Sequence, residues 1–134
     1  RLSPGTRIIG VQSELAPCMS HSLQKKIAIN TKSCDTFAGG IAVRIAIPEA
    51  VDLMLEVVDD VILVSDDELK EAMAIFLNLV DVLIEGAGAA ALAGAIKMKK
   101  ELKNKSVCLI VSGSNVDKDL KQDIITNYVG LGKS

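Results

Sequence analysis

Aromatic side chains are almost missing from this 134-residue sequence: they make up 2% of it, and there is no Trp. Stacking platforms for bases or sugars therefore have little to be built from. A basic excess is missing too. Lys and Arg number 15 against 17 Asp and Glu, a net charge of -2, whereas a nucleic-acid partner needs a basic surface. There is one histidine, His21. A Ser-His-Asp or Cys-His machine would depend on it alone, and it sits in a weakly patterned stretch that reads as exposed or packed. Cys18, Cys34 and Cys108 form no CxxC pair and no Cys/His cluster, which speaks against a structural zinc site. Three scattered cysteines fit a reduced, cytoplasmic setting. No signal peptide is visible, and charge breaks every apolar run well short of a membrane span. Neither nucleic acid nor a membrane is expected as a partner.

What the sequence has in quantity is aliphatic volume. Hydrophobic residues make up 49% of it, mostly Ala, Val, Ile and Leu, the usual filling of α/β proteins. The length suits a single domain over residues 1–134. The chain opens at Arg1 rather than Met, as a piece of a longer protein would.

Three continuous, β-branched runs read as parallel strands covered on both faces: Arg7–Val11, Asp60–Val64 and Ser106–Val111. Helical patterns lie between them. Ser65-Asp66-Asp67-Glu68 is a capping box, in which Ser65 caps the helix and Glu68 reaches back to it. Leu69, Ala72, Met73, Phe76, Leu79, Val80 and Leu83 then follow at 3.6 spacing and make one apolar face. Ala87–Lys99 predicts a second helix with a Lys-rich end that suits its dipole. Pro48 can open a short helix to about Glu56. Leu15–Lys25 and Asp117–Tyr128 are further helix candidates, and residues 26–47 read as a largely irregular connection. The order β-α-loop-α-β-α-α-β-α implies an open, mostly parallel α/β layer structure. Three strands are few for such a sheet, usually about 4–6. None of the three carries the charges or Pro that protect an edge, so the sheet is expected to be incomplete.

Three places could carry chemistry, each with a plainer reading beside it. Ser112-Gly113-Ser114-Asn115 follows the last predicted strand, and open α/β sheets bind ligands beyond the carboxyl ends of their strands. By spacing alone, it reads as a polar turn that caps the next helix through Asn115 or Asp117. Glu85-Gly86-Ala87-Gly88 offers small residues at a helix start, where backbone can approach an anion, or simply tight helix-on-sheet packing. Gly39-Gly40 can border a ligand or serve as a flexible turn. The acidic pairs Asp59-Asp60 and Asp66-Asp67 read as solvated, the second already explained by capping.

Taken in order, these stretches resemble one family, the pyridoxal-phosphate (PLP) dependent threonine and serine dehydratases. Ser3–Gln12 looks like the strand that follows their first half. Thr36–Val43 is similar to their T-x-A-D/E-G-I-A-V, Val58–Leu69 to VDDVxxVxDDEI, Glu85–Ala90 to E-G/P-A-G-A-A, and Ser112–Asp117 to S-G-G-N-x-D. The resemblance covers essentially the whole chain. It implies a fold-type II, tryptophan-synthase-β-like large-domain portion, a small amino-acid substrate, PLP as cofactor and a homo-oligomer. It places Ser112 and Gly113 on the cofactor's pyridine side, Glu85 near the ring edge, and Gly39 and Gly40 on the substrate side. The family's Schiff-base lysine and tetraglycine phosphate loop belong to an N-terminal portion with no counterpart here, so no catalytic residue is expected and the chain alone should be inactive. The implied reaction is deamination of threonine to 2-oxobutanoate. Serine racemisation, another β-elimination, or a non-catalytic assembly module are the alternatives. Two departures stand out: Gly39 replaces an acidic residue, and Ser114 replaces a glycine that would suit a positive φ. Some relatives bind a divalent cation after the first strand. Gln12 and Cys18 stand there, so no metal site is expected.

Overall fold

The computed structural model describes residues 3–128. Its elements are β1 (Ile9–Ser13), α1 (Cys18–Lys25), a 3-10 turn at Gly39–Ile41, α2 (Pro48–Val57), β2 (Asp60–Val64), α3 (Asp66–Val80), α4 (Gly86–Lys97), α5 (Lys118–Asp123) and a π turn through Ile124–Tyr128. β1 and β2 pair in parallel, with Ile9 opposite Asp60 and Ser13 opposite Val64. The Asp59 amide donates to the Ile8 carbonyl and the Glu14 amide to the Val64 carbonyl, each at 2.9 Å, and these bonds extend the ladder at both ends.

Successive residues of a strand point to opposite faces, and neighbouring residues of β1 show which helix covers which face. Val11 meets α4: a methyl group on Gly94 would lie 2.6 Å from its Cγ2 and 3.1 Å from Ile62 Cδ1. A glycine at position 94 is therefore what lets α4 lie flat on the sheet. Gln12 points the other way, and its Oε1 accepts from the buried Ser20 amide of α1 at 3.1 Å. The result is three layers, with α1 and α2 on one face and α3 and α4 on the other. The main core lies on the α3–α4 side, where Val64, Leu69, Ala72, Met73, Ile84, Ala89 and Ala93 pack together with Ile124. A smaller cluster of Cys18, Ala46 and Val51 lies under α1 and α2.

Local chemistry sets the helix ends. The capping box at α3 forms as its spacing implies: the Ser65 amide donates to Glu68 at 2.7 Å and the Glu68 amide to Ser65 Oγ at 3.1 Å. Leu69 and Met73 are fully buried. The expected apolar face stops short, however. α3 ends at Asp81 in the left-handed conformation, and Leu79 is 80% exposed. Pro17 precedes α1 rather than lying within it, and Asp117, not Asn115, caps α5 by accepting from the Leu120 amide at 2.8 Å. The expected helix over Asp117–Tyr128 divides into α5 and the π turn. β1 lies two residues further along than the apolar run Arg7–Val11 suggests.

The third expected strand does not form. Ser106–Val111 has no regular secondary structure and joins no ladder among the described residues, and Ile110 is 75% exposed. A strand needs a hydrogen-bonded neighbour, and β1 and β2 pair with each other and not with this segment. Two strands are fewer than the usual sheet of about 4–6, and an exposed apolar, unpaired segment is what an incomplete α/β layer leaves. Among the described residues, no helix is long and apolar enough to cross a membrane.

Candidate functional site

The three stretches singled out in the sequence meet at one place. The Glu85 amide donates to the Gly113 carbonyl at 3.3 Å, which joins the start of α4 to the turn after the unpaired segment Ser106–Val111. A methyl group on Gly88 would overlap the Ser112 carbonyl oxygen, so the first turn of α4 presses directly on the Ser112–Gly113 backbone. Gly113 has φ +74, a left-handed conformation that favours glycine. A side chain on Gly113 would also overlap the Glu85 carboxylate. Gly40 closes the third side: its missing methyl would lie 2.8 Å from Ala87 Cβ and 3.5 Å from Glu85 Oε1.

Ser112, Gly113, Glu85 and Gly40 are thus brought together, while Gly39 is not in contact with them. Gly39 opens onto free space, with nothing within 4 Å of where its side chain would stand. The turn at 113–114 also resolves the substitution at Ser114. The positive φ belongs to Gly113, and Ser114 is not among the residues with positive φ. Serine therefore sits at 114 without backbone strain.

Glu85 is half-buried, and its carboxylate accepts no hydrogen bond from a described residue, while Ser112 is exposed. The arrangement offers an exposed serine hydroxyl on a turn whose next residue, Gly113, has the Glu85 carboxylate against it. This donor set fits the nitrogen edge of a pyridine ring: a neutral hydroxyl for the ring nitrogen, with a carboxylate held against the adjoining glycine. The described residues contribute no phosphate-binding glycine loop to it.

Asp66 is the residue that sequence reasoning misplaced. It is not a solvated cap residue. The Thr36 hydroxyl donates to its Oδ1 at 2.6 Å, the Ser13 hydroxyl to Oδ1 at 3.3 Å, and the Phe37 amide to Oδ2 at 3.3 Å. Phe37 in turn packs against the start of α4, where a methyl on Gly86 would lie 2.6 Å from its ring. Lys70 stands 5.7 Å from the Phe37 ring centroid and 5.8 Å from that of Tyr128, within cation–π range, and its ammonium meets Asp123 at 2.8 Å. The hydrogen bond to Asp123 raises the Lys70 pKa above the usual lysine value, against the opposing effect of burial.

Gln12 and Cys18 do not fit a hard divalent cation. The Gln12 amide oxygen is already engaged by the Ser20 amide. Burial pushes the Cys18 thiol pKa up, outweighing hydrogen bonding from Gln12 and the Met19 backbone. A neutral amide and a protonated thiol lack the charged oxygen ligands such an ion takes.

The family model for pyridoxal-phosphate dependent enzymes matches residues 1–113. The chain belongs to this family. It is 35% identical over 133 residues to the L-threonine ammonia-lyase of Thermotoga maritima, covering 99% of this chain and 32% of that protein. It is 33% identical over 118 residues to the catabolic L-threonine dehydratase of Escherichia coli K12, covering 87% of this chain and 36% of that protein. Among solved structures it resembles the processed threonine deaminase isoform 2 of Solanum lycopersicum, with TM-score 0.85, 30% identity and coverage of 97% of this chain and 38% of that one. It also resembles maize serine racemase, with TM-score 0.80, 29% identity and coverage of 92% and 40%. The chain therefore spans about a third of the length of the curated relatives it matches. Its layers are those of a fold-type II PLP enzyme, and PLP is the cofactor of the family.

Proposed function

We propose that this chain is the ring-side portion of a PLP-dependent L-threonine ammonia-lyase, which converts threonine to 2-oxobutanoate and ammonia. The observation that carries the reading is the convergence of Ser112, Gly113, Glu85 and Gly40 at one end of the layered fold. Threonine-deaminating relatives at 33–35% identity support the substrate.

When bound, PLP supplies the electron sink that lets the α-proton and the β-hydroxyl of the amino acid leave. The chain's own residues would prepare the space. The Ser112 hydroxyl would hydrogen-bond the pyridine nitrogen. Being neutral, it does not hold a proton there as a carboxylate would, and this favours β-elimination over transamination. Gly113, free of a side chain, lets the Glu85 carboxylate lie against the turn that carries Ser112. The Glu85 carboxylate, which lies against Gly113, would place negative charge at the ring edge. Gly40 would border the substrate. The lysine that carries the cofactor and the phosphate-binding loop would come from elsewhere in a longer, oligomeric protein.

The test is to purify the full-length protein containing this sequence, add PLP, and measure 2-oxobutanoate from L-threonine, pyruvate from L-serine, and D-serine. Turnover of L-threonine that falls in Ser112→Ala supports the reading. D-serine as the main product moves the assignment to racemisation, and no PLP-dependent product from either amino acid overturns it.

A further inference from the structure

We propose that Asp66 is a positioning residue for the substrate-side wall, acting through Thr36 and Phe37 on the Gly39–Gly40 turn. The inference rests on the reading above, in which that turn borders the substrate. Asp66 is the first residue of α3, yet the cap of that helix is made by Ser65 and Glu68. Its carboxylate is free for another purpose and accepts from three donors on two other segments. Ser13 is the last residue of β1, so Asp66, at the start of a capped helix, is also tied to the end of the sheet. Thr36 and Phe37 belong to the largely irregular connection over residues 26–47.

The connection is wired further. Thr36 Oγ1, having donated to Asp66, accepts from the Ala38 amide at 3.2 Å. Ala38 is buried against the start of α4, and the next residue begins the 3-10 turn whose Gly40 lies against Ala87 and the Glu85 carboxylate. Hydrogen bonds that involve a charged acceptor are about twice as strong as neutral ones. A carboxylate holding both a side chain and a backbone amide of one loop fixes its position along and across the chain. Asp66 touches neither substrate nor cofactor in this arrangement; it sets how far Gly40 stands from Glu85.

The experiment uses the full-length protein with PLP and L-threonine. Asp66→Asn keeps the size but removes the charge that strengthens all three bonds and replaces one acceptor oxygen with an NH2. KM for L-threonine should rise about tenfold or more, with kcat changing less and the cofactor's absorbance band unmoved. Thr36→Val should reproduce the KM effect, Thr36→Ser should restore it, and the double variant should be no worse than Asp66→Asn alone, because one connection is being cut twice. An unchanged KM in Thr36→Val overturns the proposal, even if Asp66→Asn fails to fold. So does a shifted cofactor band with KM intact. If the parent protein turns over no amino acid, the functional reading has failed while the positioning role is still measurable. Hydrogen exchange of the amides of residues 37–42 should then quicken about tenfold in Asp66→Asn, and equal exchange in the two proteins sinks the role.

Discussion

Glu85 and Gly113 hold one another twice over. The amide of Glu85 donates to the carbonyl of Gly113 at 3.3 Å, and the Glu85 carboxylate occupies the space a side chain on Gly113 would need. Each residue explains the other. Glycine is required at 113 both by its φ of +74 and by the carboxylate beside it. Glu85 in turn has its backbone held to Gly113, which places its side chain beside the turn.

Gly113→Ala should therefore cost more than the backbone alone demands. A left-handed non-glycine residue costs about 1–2 kcal/mol, and the displaced carboxylate adds to it. Thermal denaturation should show that loss, and turnover should fall about a hundredfold, the scale of a misplacement near 1 Å. Gly5→Ala is the control: nothing lies within 4 Å of its side-chain position, so its stability should stay within about 0.5 kcal/mol of the parent. Equal behaviour of the two variants would show that the Glu85–Gly113 contact is unimportant.

The two neighbouring glycines of the substrate-side turn should part company. Gly39 faces open space, whereas a methyl on Gly40 would meet Ala87 Cβ at 2.8 Å. Gly39→Ala should be nearly silent in stability. Gly40→Ala should cost about 1–3 kcal/mol by overpacking and lower kcat/KM. Denaturation midpoints and steady-state kinetics on the pair check this, and a reversed order would show that the turn sits differently against α4.

The features that were legible in the sequence are those carried by near neighbours. The capping box spans Ser65 to Glu68, and α4 announces itself by its run of alanines. The role of Asp66 was hidden because its partners Thr36 and Ser13 lie 30 and 53 residues away. Locally, the same residue looks like one more acid in a helix's first turn. The segment Ser106–Val111 misled for the opposite reason. Its apolar, β-branched pattern is that of a buried strand, but a pattern supplies no hydrogen-bonding partner. The meeting of Ser112, Glu85 and Gly40 came from family likeness in order along the chain; the contact between them is tertiary and no spacing encodes it.

Glu68 predicts a response to acid. Burial alone would raise its carboxyl pKa, but bonds from the Ser65 amide and the Lys97 ammonium outweigh burial and hold it below the usual value of 4.5. A lowered folded pKa contributes stability that is present above the unfolded value and lost as pH falls through the folded one. Below about pH 4.5 the protein should weaken, and Glu68→Gln should flatten that part of the stability profile while lowering the plateau at neutral pH. Urea midpoints across the range check it, and parallel curves for the two proteins would refute it.

Cysteine chemistry tests whether the unpaired segment is covered in a longer protein. Cys108 lies in the exposed stretch Ser106–Val111, and Cys18 is fully buried with its thiol pKa raised by burial. The thiolate is the reactive form, so burial and a raised pKa both protect Cys18. In the 134-residue chain a maleimide should label Cys108 promptly and Cys18 hardly at all, and protection of Cys18 reports that the chain is folded. A segment that joins no ladder among the described residues is a ready partner for another strand. In the full-length protein further chain should occupy it, and Cys108 labelling should slow about tenfold or more. Prompt labelling of both cysteines in the short chain would mean that these layers do not fold unaided. Prompt labelling of Cys108 in the full-length protein, with Cys18 still protected, would mean that the sheet ends where it does here.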